Sequence, residues 1–170
     1  MLAFLRHIFF CFIPAWLVAF IFASVLHSHF VLFELVALNI HIPASKWLYM
    51  VLDDLFGLLP TYGAIISVTL TISFFMASRL NSFLEKRALT LTKNGAAGMF
   101  GAASMFGAAG IFGAAGAVGF LIMLAAMQPI LDVTLIAGAR SNLGIAAQCI
   151  AGFVSGIIYS RLRLVTVIVH

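Results

Sequence analysis

Between His7 and Glu34 the chain carries no formally charged side chain, and Ile8 to Leu26 is apolar apart from Ser24. A 19-residue run of that kind can cross the ~30 Å hydrocarbon core of a bilayer as a helix. Only helices and closed barrels can cross it, because every backbone N–H and C=O must find a partner inside the segment or barrel. Three more stretches pass the same test. Thr61 to Ser78 lies between Pro60 and Arg79, and Leu143 to Ser160 lies between Arg140 and Arg161. The uncharged region Gly95 to Leu131 holds the third span, although its 37 residues exceed the ~20 that one crossing needs. These runs predict an all-α polytopic membrane protein, one domain over residues 1–170, with spans near 8–33, 61–78, 97–127 and 143–160.

Composition agrees. The chain is 64% hydrophobic and 8% charged, against roughly 45–50% and ~25% in soluble domains. Its 170 residues leave room for one bundle with short connections and no separate soluble domain. Arg6 ahead of the first run has the look of a secretory leader, but the run exceeds the usual ~7–15 residues and no Ala-x-Ala site follows, so an uncleaved anchor is expected. Cys11 and Cys149 lie in apolar runs, where a thiol behaves as a small hydrophobe.

Charge sets the threading. A cytoplasmic N-terminus places Arg6, Arg79, Lys86, Arg87, Lys93, Arg161 and Arg163 on the inner side and leaves Lys46 and Arg140 outside. That bias predicts both termini in the cytoplasm. Glu34, Asp53, Asp54 and Asp132 then fall outside and Glu85 inside. The net charge of +4 follows from this rule, and the scattered cations form no patch suited to nucleic acid.

Glu34 to Pro60 is too apolar for a free loop. From Ser45, an expected N-cap, Leu48, Val51, Leu52, Leu55 and Leu59 recur at helical spacing while Lys46, Asp53 and Asp54 lie off that stripe. A short interfacial helix over 45–59 is expected, with Trp47 and Tyr49 at headgroup depth. The alternative is a re-entrant hairpin, which would place Asp53 and Asp54 in hydrocarbon at several kcal/mol unless they line water.

The stretch "GAAGMFGAASMFGAAGIFGAAGAVGF", Gly95 to Phe120, holds four near-copies of a six-residue unit. Six residues turn a helix by about 240° net, so Phe100, Phe106 and Phe112 point to three sides. Small residues pair at four-residue spacing, as in Ala109 with Gly113 and Ala115 with Gly119, which lets backbones approach closely. The region is read as a duplication tolerated because each unit packs well. Taken as one helix from Gly95 to Met127 it would measure about 50 Å, so it is expected to extend into the cytoplasm or bend at glycine. Gly107 to Leu121 also resembles the glycine–alanine pore helix of small-conductance mechanosensitive channels, without a counterpart of that family's soluble vestibule.

Span four carries a stripe of Gly144, Gln148, Gly152 and Gly156, and span two carries Gly63, Ser67 and Thr71. These rows predict that spans two and four pack together, with Gln148 bonded to Ser67 or Thr71. Arg140 is expected just outside span four beside Asp132, Asp53 and Asp54, forming an outer polar cluster, and Asn142 is expected to cap the helix. His27, His29, Glu34 and His41 gather near one end of span one. On a helix His27 and His29 point about 200° apart, which argues against a shared metal site. No catalytic residue, cofactor or metal is expected.

The pairing of "PTYGAIISV", Pro60 to Val68, with "IAGARSNLGIAAQCIAGFVSG", Ile136 to Gly156, resembles a type of small four-span bacterial inner-membrane protein with no assigned chemistry. That resemblance implies a location and no reaction. The expected role is an accessory or scaffold subunit in the lipid bilayer, as a homo-oligomer or part of a larger membrane complex. The alternative is a small oligomeric channel or transporter.

Overall fold

Each uncharged stretch folds as a long helix, which satisfies its backbone internally where lipid cannot. The computed structural model describes the backbone of residues 8–39, 43–93, 97–131 and 142–168, and side-chain surroundings within 9–39, 45–86, 107–127 and 142–165. Helix α1 (Ile13–Ala37) is entered through a π turn, Ile8–Phe12, with Pro14 just past it, and the wider turn takes up the N–H that proline lacks. After the cap at Leu38, Asn39 adopts φ 61°, a left-handed conformation that asparagine tolerates better than most residues.

Helix α2 (Ala44–Leu58), a π turn (Leu59–Gly63) and helix α3 (Ala64–Lys93) form one uninterrupted helical run. The segment expected as a separate interfacial helix is therefore helical but continuous with span two. Pro60 does not end the run: its missing N–H and its ring against the preceding turn are taken up by the wider π turn. Nor does Ser45 cap α2. Pro43, extended at φ −65° and ψ 146°, occupies the cap position, and the Trp47 N–H donates to its carbonyl at 3.2 Å.

Helix α4 (Ala97–Leu131) and helix α5 (Asn142–Ile168) complete the fold. Asn142 is the first residue of α5 rather than its cap, and the position before it lies outside the described residues. Among the described residues four runs are long and apolar enough to cross a membrane: Phe9–Ala37, Ser45–Lys86, Gly107–Met127 and Asn142–Val165. The expected bend in span three falls at Gly107, whose φ −18° and ψ −113° break the helical geometry. From that kink the helix runs on to Leu131, and Gly107–Met127 within it is long and apolar enough for one crossing.

Contacts fix the direction of each helix. Ser28 meets Asp54, Trp16 meets Gly63 and Phe12 meets Phe74, so α1 is antiparallel to the α2–α3 run. Ser155 bonds the Ala15 carbonyl and Gln148 bonds that of Ala23, so α5 is antiparallel to α1. Phe112 meets Gly156 and Gly116 meets Gly152, so α4 is antiparallel to α5. The bundle runs up-down-up-down, and Ile8 and Val165 lie at the same end.

The expected pairing of spans two and four is corrected by these contacts. The close seam lies between α4 and α5, where Gly116 faces Gly152 backbone to backbone and Gly156 faces Phe112 and Gly113. Helix α5 also packs on α1, and α3 packs on α4, with Gly119 against Ser73 and Thr69. Helices α3 and α5 are thus diagonal, and large side chains bridge the gap between them. Phe74 stacks on Tyr159 with centroids 4.3 Å apart, and Phe112 packs against both rings. Small residues close adjacent helices, and aromatic ones fill the diagonal.

Candidate functional site

One face of α1 carries Ala15, Ala19, Ala23, Ser24, His27 and Ser28, all buried. Its small side chains admit two polar ties. The first joins α1, the π turn and α5: Tyr62 Oη donates to Gln148 Oε1 at 2.9 Å, and Gln148 Nε2 donates to the Ala23 carbonyl at 3.0 Å. Gln148, only 1% exposed, thus has both ends of its amide satisfied, as burial in an apolar bundle demands. The sequence anticipated a hydrogen bond for Gln148 but placed it on Ser67 or Thr71. Ser67 is half-buried and Thr71 is exposed, turned back to donate to the Ser67 carbonyl at 2.7 Å.

The second tie lies five residues along α1, about 7.5 Å by helical rise. Ser28 Oγ sits 2.8 Å from Asp54 Oδ2 and 3.1 Å from the Ser24 carbonyl, and its single proton serves these two acceptors. Trp16 and Phe20 touch Gly63 while Ser28 touches Asp54, so the row Trp16, Phe20, Ser24, Ser28 faces the α2 side. Ser24 Oγ lies in that row, buried and with no hydrogen-bond partner. His27 is 8% exposed beside it, within electrostatic reach of Asp54. His29 packs with Phe33 and Trp47, its Nδ1 2.8 Å from the Val25 carbonyl.

Of the expected outer cluster, Asp54 is half-buried and tied to α1, whereas Asp53 is exposed. Asp53 lines a shallow slot of about 400 Å³ with Tyr49, Met50, Leu52 and Phe56. Asp132 and Arg140 lie outside the described residues. The packing residues separate likewise: Gly63 meets Trp16 and Phe20 of α1, Gly152 and Gly156 meet α4, and Gly144 is buried. His41 is also outside the described residues, and among those described no three His, Cys, Asp or Glu side chains converge as metal ligands.

Sequence reasoning missed the Ser28–Asp54 tie, Trp16 Nε1 donating to the Gly63 carbonyl at 2.9 Å, and Ser155 Oγ donating to the Ala15 carbonyl at 2.8 Å. A signal for the last was present in Ala15, Ala19 and Ala23 at four-residue spacing, the mate of Ala151 and Ser155. Fold and site together define the class as an all-α polytopic membrane protein with four spanning helices and internally satisfied polar ties. No protein-family model, curated protein or solved structure matches the chain.

Proposed function

We propose that this is an integral protein of the bacterial inner membrane, with both termini cytoplasmic. It acts as an accessory or scaffold subunit and packs with itself or with a larger membrane complex, without catalysis. The α4–α5 seam carries this reading: Gly116 is closed on the backbone of Gly152, and Gly113 and Gly119 are covered by side chains of α5 and α3, where a pore would need them open. The surface left for a partner is the outer face of α2, where Tyr49 and Phe56 are 76% and 73% exposed, seven residues apart on one stripe with Leu52 and Asp53. Support for the orientation comes from Arg79, Lys86, Arg161 and Arg163 gathering at the end that holds Ile8 and Val165, with Lys46 at the other.

A photo-crosslinking residue placed at Tyr49 or Phe56 is expected to capture a discrete protein partner or a second copy of this chain. The same residue at Val68 or Ile72, exposed on α3, is expected to capture lipid. Lipid-only products at all four positions would remove the accessory reading. The channel or transporter reading is favoured by the buried Ser24, His27 and Ser28 beside the half-buried Asp54. Selective conductance of the pure protein in liposomes, altered by Asp54→Asn, would establish it instead.

A further inference from the structure

The end of the bundle that carries Arg163 has an unbalanced charge. Arg163 lies between α3 and α5, where one guanidinium nitrogen (Nη1) donates to Ser78 Oγ at 3.1 Å and the plane sits 5.7 Å from the centre of the Phe112 ring. Phe112 is itself wedged against Phe74 and Tyr159, so the guanidinium rests on a rigid aromatic platform. Five N–H donors point from such a group, and one hydrogen bond uses a single one of them.

Among the described residues no carboxylate side chain pairs with it. Glu85 is the one described acid at this end; it is exposed and accepts from Asn81 Nδ2 at 2.7 Å. It also lies seven residues beyond Ser78, about 10 Å along the axis. Arg79, over the ring of Phe75 at 5.1 Å, and the exposed Arg161 add to the same positive field.

Depth narrows the identity of the counter-anion. Beyond Ser78 on α3, Leu80, Phe83 and Leu84 are exposed, and beyond Arg163 on α5 so are Leu164 and Val165. Apolar side chains therefore continue up to about 9 Å past the guanidinium, interleaved with the exposed Arg79, Ser82 and Arg161, which places the charge at the border between the apolar zone and water. An anion that brings its own hydrocarbon can reach that depth and cover those side chains.

We propose that Arg163 and Ser78 form a binding site for the phosphate of an anionic phospholipid. Remaining guanidinium N–H groups of Arg163 donate to the phosphodiester oxygens. Ser78 accepts from Arg163, which leaves its own hydroxyl proton to donate to the same phosphate. Arg79 and Arg161 supply longer-range attraction.

Native mass spectrometry of the full-length protein, titrated with phosphatidylglycerol or phosphatidylcholine, tests this. The wild type is expected to retain one phosphatidylglycerol in preference to phosphatidylcholine. Arg163→Gln is expected to weaken that preference by about fivefold or more, the effect of one cation at a membrane surface. Ser78→Ala is expected to weaken it at least about twofold as a hydrogen bond to the charged phosphate is lost, and Arg161→Gln to change it less than Arg163→Gln. Equal retention of the two lipids, an unchanged preference in Arg163→Gln, or displacement of the lipid by millimolar inorganic phosphate would each overturn the proposal. Should Arg163→Gln fail to fold, the wild type alone decides: its unfolding midpoint must rise with phosphatidylglycerol and not with phosphatidylcholine.

Discussion

Replacing Gly156 with alanine adds one methyl group where the backbone of α4 stands. The new Cβ would lie 2.5 Å from the carbonyl carbon of Phe112, 2.7 Å from the nitrogen of Gly113, and against the Phe112 carbonyl oxygen. Ordinary carbon contacts are about 3.5–4.0 Å, so the two helices must part locally by roughly 1 Å. A gap of that size forfeits about a quarter to a half of each dispersion contact across it, and overpacking of this kind costs about 1–3 kcal/mol. The better helix propensity of alanine returns up to ~1 kcal/mol, which leaves a net loss of up to about 2 kcal/mol. Two glycines calibrate the estimate. Gly57 has nothing within 4 Å of its would-be Cβ, so Gly57→Ala should keep the propensity gain and stabilise by up to ~1 kcal/mol. At Gly63 the nearest atom is Trp16 Cζ2 at 3.4 Å, an ordinary contact, and Gly63→Ala should fall between the two. Reversible unfolding in mixed micelles, followed by helicity against the mole fraction of denaturing detergent, ranks all three variants. Were Gly156→Ala as stable as Gly57→Ala, the seam would not be closed at backbone distance and the packing argument would fail.

Tyr62→Phe should destabilise by about 0.6–2 kcal/mol, the range for hydrogen bonds between membrane helices. Adding Gln148→Leu should cost much less than the sum of the single changes, a coupling that a double-mutant cycle measures. Ser28→Ala should cost about 1–2 kcal/mol by releasing Asp54, and hydrogen exchange should rise across 44–58 more than in α4. In a background with both native cysteines replaced, Lys46→Cys should react with an impermeant maleimide on intact cells and Lys86→Cys only after permeabilisation; the reverse pattern would invert the orientation.

Spans were legible because charge is expensive in lipid, and the few charged residues bracket each crossing. Which spans touch was less so. A small-residue stripe says that something approaches closely and leaves the partner open. Gly152 and Gly156 fit Gly116 and Phe112 of α4, although Gly63 and Ser67 of span two offered an equally small row. Pro60 was misleading for a similar reason: proline forbids one hydrogen bond, and a π turn removes the need for it. The Ser28–Asp54 tie joins residues 26 apart, a separation that no helical periodicity predicts. Gln148 was easier to place in kind, since a buried amide must find partners, yet those partners came from a tyrosine and a backbone carbonyl.

The repeat shows how near-identical sequence yields unlike structure. Successive units turn α4 by about 240°, so the first glycine of each unit meets a different neighbour. At Gly107 that position is open and kinked; at Gly113 it lies against Phe153 and Ile157 of α5; at Gly119 it lies against Ser73 and Thr69 of α3. Phe112, which ends the unit before Gly113, is buried among Phe74, Tyr159 and Arg163. A unit with small residues at both three- and four-residue spacing can meet a partner on almost any side, so two helices can pack on α4 without any change in its repeated sequence. The kink at Gly107 limits that use. It changes the direction of the helix there, so the register of Gly113, Gly116 and Gly119 against α5 and α3 is set by the straight segment that follows the kink.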